Sequence, residues 1–265
     1  MPNIRAMTEH TNEHTDKKVL ITGASKGLGR LAALGFAERG SCIFATARSE
    51  DRLSDLKEQL ASQEKHHIKA ADLTDPEAVP VLCNQVRDAF GAPDIILHCM
   101  GGGYGFRDAL LTQDQLETLF RVNLSAGASL NHHLIPDMTA AGGGFVVHVG
   151  STAATEAIAS TGYNTVKAAL AAYVRSLGNE LASSNVVLTG IHPGGFFAPE
   201  NPFRRMQRDK PEVLEKFIAE RLPRGYMAEG EEILPLLYFL TGPGASMMAG
   251  SCVPIDAGES RAYAE

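Results

Sequence analysis

Residues 18–40 read KVLITGASKGLGRLAALGFAERG. The first seven are β-branched and apolar up to a glycine turn, the pattern of a buried strand. From about Gly27 to Arg39 apolar residues recur at helical spacing, and Gly40 stops the helix. A strand that passes through glycines into a helix is half of a β-α-β unit, so the question is whether the unit repeats. It does. CIFATA (42–47), HIKAADL (67–73), DIILHCM (94–100), GFVVHVGS (144–151), NVVLTGIHPGG (185–195) and SCVPIDAG (251–258) read as further strands. Helical patterns lie at 49–64, 75–90, 112–139, 160–182 and 229–240. Asp75-Pro76 supplies an N-cap and a first-turn proline, and the 112–139 helix is expected to bend or break near Pro136. The strands are near-continuous apolar runs, as a parallel sheet covered on both faces requires. With right-handed crossovers the result is a doubly wound α/β fold with seven parallel strands and helices on both faces.

The chain has 265 residues, 44% of them apolar and 21% charged, which suits one large α/β domain. Residues 1–16 read as a polar, poorly ordered tail, and 17–265 as a single domain. The mixed-charge stretch 195–228 is too long for a plain connection and is expected to form a lid or substrate loop. A net charge of −7 argues against nucleic-acid binding. No secretory signal opens the chain, and no apolar run approaches bilayer length, so a cytoplasmic protein away from membranes is expected. Cys42, Cys83, Cys99 and Cys252 form no CxxC and read as free thiols in a reducing compartment. The nine histidines show no metal-ligand spacing, so no metal is expected; His98 and His148 read as hydrogen-bonded core residues.

TGASKGLG (22–29) lies where such a fold holds a pyrophosphate. Gly23 lets the chain turn, Gly27 permits close approach of phosphates, and Gly29 lets helix and strand pack. The spacing is GxxxGxG. Lys26 sits inside the loop, and Arg48 follows the second strand, where an acid would meet a free ribose 2′-hydroxyl. A guanidinium there suits a 2′-phosphate, so NADP(H) is favoured over NAD(H).

In YNTVK (163–167) Tyr163 and Lys167 share a helix face. A nearby cation draws a phenol's pKa down from about 10, which would let Tyr163 exchange a proton with a carbonyl or hydroxyl oxygen while hydride moves at the adjacent carbon. Ser151, at the end of the fifth strand, is placed to hold the same oxygen. No GxSxG surrounds it, which argues against a hydrolase nucleophile.

TGASKGLG, ADL (71–73), Asn123 in RVNLS, Ser151, YNTVK, HPGG (192–195) and PIDAG (254–258) occur in order, on the expected elements. Over residues 17–258 the chain resembles the short-chain dehydrogenase/reductase family, in its single-domain, Rossmann-type branch, similar to 3-oxoacyl-thioester reductases. The resemblance implies that Tyr163 is the general acid/base, Ser151 positions the substrate oxygen, Lys167 lowers the tyrosine pKa and binds ribose, and Asn123 holds a relay water. It implies cofactor contacts from Gly23, Ser25, Lys26, Gly27, Leu28, Gly29, Arg48, Asp72, Leu73, Gly101, Tyr163, Lys167, Pro193 and Gly194. One departure is Cys99-Met100-Gly101, where the family usually shows Asn-Ala-Gly. The implied activity is NADPH-dependent reduction of a carbonyl, or the reverse oxidation of a secondary alcohol. A 3-oxoacyl thioester, a sugar or a nucleotide sugar are the substrates in view. The alternative is a sensor or scaffold that binds NADP(H) without turnover. A homotetramer or homodimer is also implied.

Overall fold

The structure is a computed structural model and describes residues 13–262. β1 (Lys18–Thr22), β2 (Cys42–Ala47), β3 (His67–Ala70), β4 (Ile95–His98), β5 (Gly144–Val149), β6 (Val186–Pro193) and β9 (Cys252–Ile255) form one parallel sheet in the order β3-β2-β1-β4-β5-β6-β9. The order reverses between β1 and β4, and there the crossovers leave a crevice at the strand ends. Successive strand residues face opposite layers. Val19 and Ile21 therefore join a core with α1 (Gly27–Glu38), α2 (Glu50–Gln59) and α9 (Leu234–Leu240), whereas Leu20 joins one with α3 (Ala78–Phe90), α5 (Ala126–Ala140) and α6 (Thr161–Leu181).

Three sequence expectations are corrected. The helix expected over 112–139 is two helices, α4 (Gln113–Phe120) and α5, joined by a π-helical turn at Arg121–Ser125. The interruption is therefore at Asn123, and Pro136 sits inside α5. Asp75 accepts from the Glu77 amide and caps a turn, and the helix itself starts at Ala78. The stretch 195–228, expected as a lid or substrate loop, is built from regular elements. It carries α7 (Pro202–Asp209), α8 (Pro211–Arg221) and a two-stranded pairing of β7 (Phe196–Phe197) with β8 (Ala228–Glu229). Phe197, Leu214, Leu222 and Met227 give it a small core of its own.

Residues 1–12 of the expected tail lie outside the described residues. His14 is buried between Phe36 and Tyr238 and hydrogen-bonds Thr241 (2.9 Å), and its carbonyl accepts from the Ser41 hydroxyl (2.7 Å).

Candidate active site

The glycine loop leaves β1 with Gly23 at φ +66°, where a Cβ would stand 2.9 Å from the Met100 amide nitrogen. That contact brings the β1 and β4 exits together, and Thr22 Oγ1 reinforces it by accepting from the same amide (3.3 Å). Gly29 packs against the Gly23 carbonyl, 3.1 Å from Cys99 Cβ by the position its own Cβ would take. Gly27 has φ +60° and open space where its Cβ would stand, while its amide donates to the Pro199 carbonyl (2.7 Å). Ser25 is half-buried, Leu28 is buried, and the first turn of α1 carries no acid.

Lys26 and Arg48 reach solvent on this edge. Partial burial, then the charges of Arg205, Arg52 and Arg48, hold the Lys26 pKa below its usual value, while Glu200 opposes them. Four cations thus crowd the region beyond β2, a field suited to a dianionic phosphate. Together with the open space at Gly27, this fits a phosphorylated dinucleotide. Arg52 and Arg205 were not singled out in the sequence. Arg52 stands four residues after Arg48, a detectable spacing; Arg205 comes from α7 and carries no local signal. Asp72 is exposed and turns its carboxylate onto Thr74, accepting from its amide and hydroxyl, while Leu73 is buried.

At the other side of the crevice the expected catalytic residues converge. The π turn aims Asn123 at the loop after β4: its Oδ1 accepts from the Gly102 amide (3.0 Å), and its Nδ2 donates to the carbonyls of Gly102 (3.0 Å) and Leu119 (2.9 Å). Lys167 is 3% exposed, and its Nζ donates to the Val149 carbonyl (3.0 Å). A Cβ at Gly101 would lie 2.9 Å from Asn123 Oδ1 and 3.3 Å from Lys167 Nζ, so both groups meet the chain at a residue that leaves them room. Lys167 Nζ lies 5.6 Å from the Tyr163 ring centroid, and the half-buried Tyr163 has the Ser151 side chain near enough to draw its pKa down. Ser151 Oγ also accepts from the Ala153 amide (3.2 Å).

The electrostatics differ from expectation in one respect. Burial pushes the Tyr163 phenol up, and the Ser151 side chain only partly offsets it; Lys167 does not depress it. The ammonium points to a backbone carbonyl, and its own pKa is lowered to about 8 by burial. Cys99 is pushed up to about 12 by burial and stays a neutral thiol, so Thr22 and Asn123 hold the β4 exit.

Pro193 ends β6 and is buried. Gly194 admits no side chain, because a Cβ would sit 2.5 Å from Glu259 Oε2. That buried carboxylate accepts from the Gly195 amide (2.5 Å), a clamp on the β6 exit that the sequence did not reveal.

The sequence profile of the short chain dehydrogenases matches residues 17–207. The chain belongs to the short-chain dehydrogenase family. Among relatives in this family, the 3-oxoacyl-[acyl-carrier-protein] reductase of Pseudomonas aeruginosa is 28% identical over 250 residues, covering 91% of this chain and 96% of its own. The crystal structure of L-sorbose reductase from Gluconobacter frateurii, complexed with NADPH and L-sorbose, superposes with a TM-score of 0.87 at 28% identity, over 95% of this chain and all of that one. The RhlG/NADP active-site complex of Pseudomonas aeruginosa superposes at 0.85 with 25% identity, over 94% and 98% of the two chains. The chain carries its glycine loop, the Ser151 and Tyr163 hydroxyls and Lys167 at one edge of the sheet.

Proposed function

We propose that this short-chain dehydrogenase is an NADPH-dependent reductase of a ketone, or the reverse dehydrogenase, in which Tyr163 hands a proton to the substrate oxygen held by Ser151. The observation that carries this is the meeting of the Tyr163 phenol, the Ser151 side chain that lowers its pKa and the buried Lys167 ammonium at one edge of the sheet. Bound nicotinamide supplies the hydride. The chain's own residues supply the rest. Ser151 and Tyr163 are two hydroxyls placed to grip one carbonyl oxygen. A phenol with a raised pKa stays protonated at neutral pH, the state a general acid needs for reduction. Lys167 supplies positive charge as the phenol gives up its proton, and Asn123 anchors the loop that carries Gly101.

The glycine loop would hold the pyrophosphate through Gly23, Ser25, Gly27, Leu28 and Gly29, with Lys26 and Arg48 on the 2′-phosphate. Asp72 and Leu73 would meet the adenine; Gly101, Pro193 and Gly194 would border the ribose and nicotinamide. The relatives' names point to a 3-oxoacyl thioester and to a keto sugar, and both present a ketone that becomes a secondary alcohol. No described helix is long and apolar enough to cross a membrane, in keeping with a cytoplasmic enzyme. Ala168 and Ala172, exposed one turn apart on α6, suit a close helix contact in a homodimer or homotetramer.

The test is Tyr163→Phe. NADPH oxidation with a ketone panel should fall by about 100-fold or more, while NADPH affinity by fluorescence titration stays within about twofold. Equal turnover in wild type and variant would end this reading, and a wild type that binds NADPH but turns over no carbonyl would point to a sensor.

A further inference from the structure

The turn Pro193–Gly194–Gly195, which would border the nicotinamide, holds two glycines in succession. Glycine backbone has the greatest conformational freedom of any residue, so the shape of this turn is set from outside. Both amides are tied to the C-terminal turn. Gly194 N–H donates to the Ile255 carbonyl (3.2 Å), and Gly195 N–H donates to Glu259 Oε2 (2.5 Å). The Glu259 side chain presses on both residues: a Cβ at Gly194 would stand 2.5 Å from its Oε2 and 2.8 Å from Asp256 Cβ. On the opposite side the turn meets α8 and its exit. A Cβ at Gly195 would lie 3.1 Å from Phe217 Cε1 and 3.2 Å from Met227 Sδ.

Glu259 is itself held in place. Asp256 accepts from the amides of Gly258 (3.0 Å) and Ser260 (2.9 Å), and the Glu259 amide donates to the Asp256 carbonyl (3.1 Å). This tight turn carries Glu259 inward, where it is 5% exposed. A buried carboxylate is retained only against partners that offset its desolvation. Burial pushes its pKa up, the Gly195 N–H and the Arg221 guanidinium oppose this, and Asp256 and Glu156 add to it. Arg221, at the end of α8, also reaches Glu156 Oε2 (3.5 Å), and Glu156 accepts from the Arg261 amide. Glu156 lies between Ser151 and Tyr163 in the chain. The C-terminal turn thus joins the β6 exit, α8 and the loop between the two hydroxyl residues.

We propose that Glu259 is a positioning residue: its carboxylate fixes the Gly194–Gly195 backbone and so sets where a nicotinamide ring lies against the carbonyl carbon. The inference rests on the reading of Ser151 and Tyr163 as the pair that holds the substrate oxygen. With that oxygen gripped, the remaining freedom is on the cofactor side. The glycine loop and the cations beyond β2 lie across the crevice and suit the phosphates, which leaves the ring end to the β6 exit. A displacement of about 1 Å at reacting atoms can cost about 100-fold in rate. The reach of the Glu259 side chain, which sets the acceptor under Gly195, is therefore what counts.

Three substitutions separate reach from charge. Glu259→Gln keeps the reach and an accepting oxygen, Glu259→Asp keeps the charge but falls one methylene short, and Glu259→Ala removes both. In the cofactor-free protein, hydrogen exchange at the Gly195 amide should match wild type in Glu259→Gln and be faster by about tenfold in the other two. With NADPH and a ketone, kcat should stay within about threefold of wild type in Glu259→Gln and fall by about tenfold in the other two. NADPH affinity should change by less than about threefold throughout, and the primary isotope effect from 4-deuterated NADPH should grow where kcat falls. A merely structural role would shrink the folded fraction and leave the isotope effect of the remaining enzyme unchanged; that result overturns the proposal. So does a Gly195 amide that exchanges alike in every variant, or a Glu259→Gln that behaves as Glu259→Asp does. Should Glu259→Ala not fold, the contrast between the Gln and Asp variants decides. Tyr163→Phe separates the two readings. If it abolishes turnover while the Glu259 variants behave as wild type, the positioning role alone fails. If it turns over as wild type does, the reading beneath fails, and hydrogen exchange still tests the tie to Gly195.

Discussion

Lys167 bears the largest electrostatic burden of any single side chain in the site. It is charged below about 8 in the folded protein, but stays charged up to 10.5 when unfolded. Its pKa is lowered on folding, so between those values the unfolded chain binds more protons and stability rises with pH. At pH 7 both states are charged and the full cost applies, about 3 kcal/mol for a shift of this size. The hydrogen bond to Val149 returns about 1 kcal/mol. Without cofactor, Lys167→Met should therefore be more stable than wild type by about 2 kcal/mol at pH 7. The advantage should shrink as pH rises from about 8 to 10.5. Urea unfolding at pH 7 and pH 10 checks both the sign and the trend, and the variant should be inactive. The cation cluster gives a second prediction. With Lys26, Arg52 and Arg205 still nearby, Arg48→Ala should weaken NADPH by about tenfold and leave NADH unchanged, as read by the ratio of the two KM values.

Elements, more than residues, account for where sequence and structure part. The π turn at Arg121–Ser125 leaves no mark in the apolar periodicity, because one extra residue per turn changes hydrogen bonding without changing composition. Pro136 was the visible breaker, yet helix α5 accommodates it. Helices α7 and α8 were hidden by charge: within that mixed-charge stretch Arg204 pairs with Glu229 (2.6 Å) and lies over Phe197, beside a small apolar core. Ser151 was singled out because it follows a strand, and Tyr163 with Lys167 because they share a helix face; Asn123 came only through the family resemblance. Arg205 and Glu259 were not legible, since their roles depend on segments that meet only in the fold. The packing of α6 offers an element-scale test. Helix propensity alone favours Gly178→Ala by about 1 kcal/mol. A Cβ there, however, would run into the Gly250 backbone and stand 2.9 Å from the Leu188 carbonyl, and neither can retreat without moving β6 or β9. Backbone crowding should win, with a net loss of about 2 kcal/mol in urea unfolding.

Across the whole molecule, five imidazoles are buried among the described residues, those of His14, His66, His98, His148 and His192. The fold was legible from repetition of strand and helix, but burial of particular histidines depends on what packs over them. His14 is sealed by α1 and α9, His98 and His148 by α5 and α6, and His192 by the β5 exit. Burial holds His14, His98 and His192 at about 4, and His148 well below its usual value, all against 6.5 in an unfolded chain. Each pKa is lowered on folding. Between 6.5 and about 4 the unfolded chain therefore takes up protons that the folded one refuses, and stability is lost as the pH drops. At pH 5 each of the three sites held at about 4 has lost about 2 kcal/mol relative to pH 7, and His148 adds to the loss. Together these losses are comparable to the whole stability of a domain, about 5–15 kcal/mol. The protein should unfold with a midpoint near pH ~5, before most surface carboxylates are protonated. Replacing His14 by Phe, which can keep its ring contacts with Phe36 and Tyr238, should move the circular-dichroism midpoint to lower pH even as it gives up the Thr241 hydrogen bond. A midpoint near pH 3 in the wild type, unmoved by the substitution, would assign acid unfolding to the carboxylates instead.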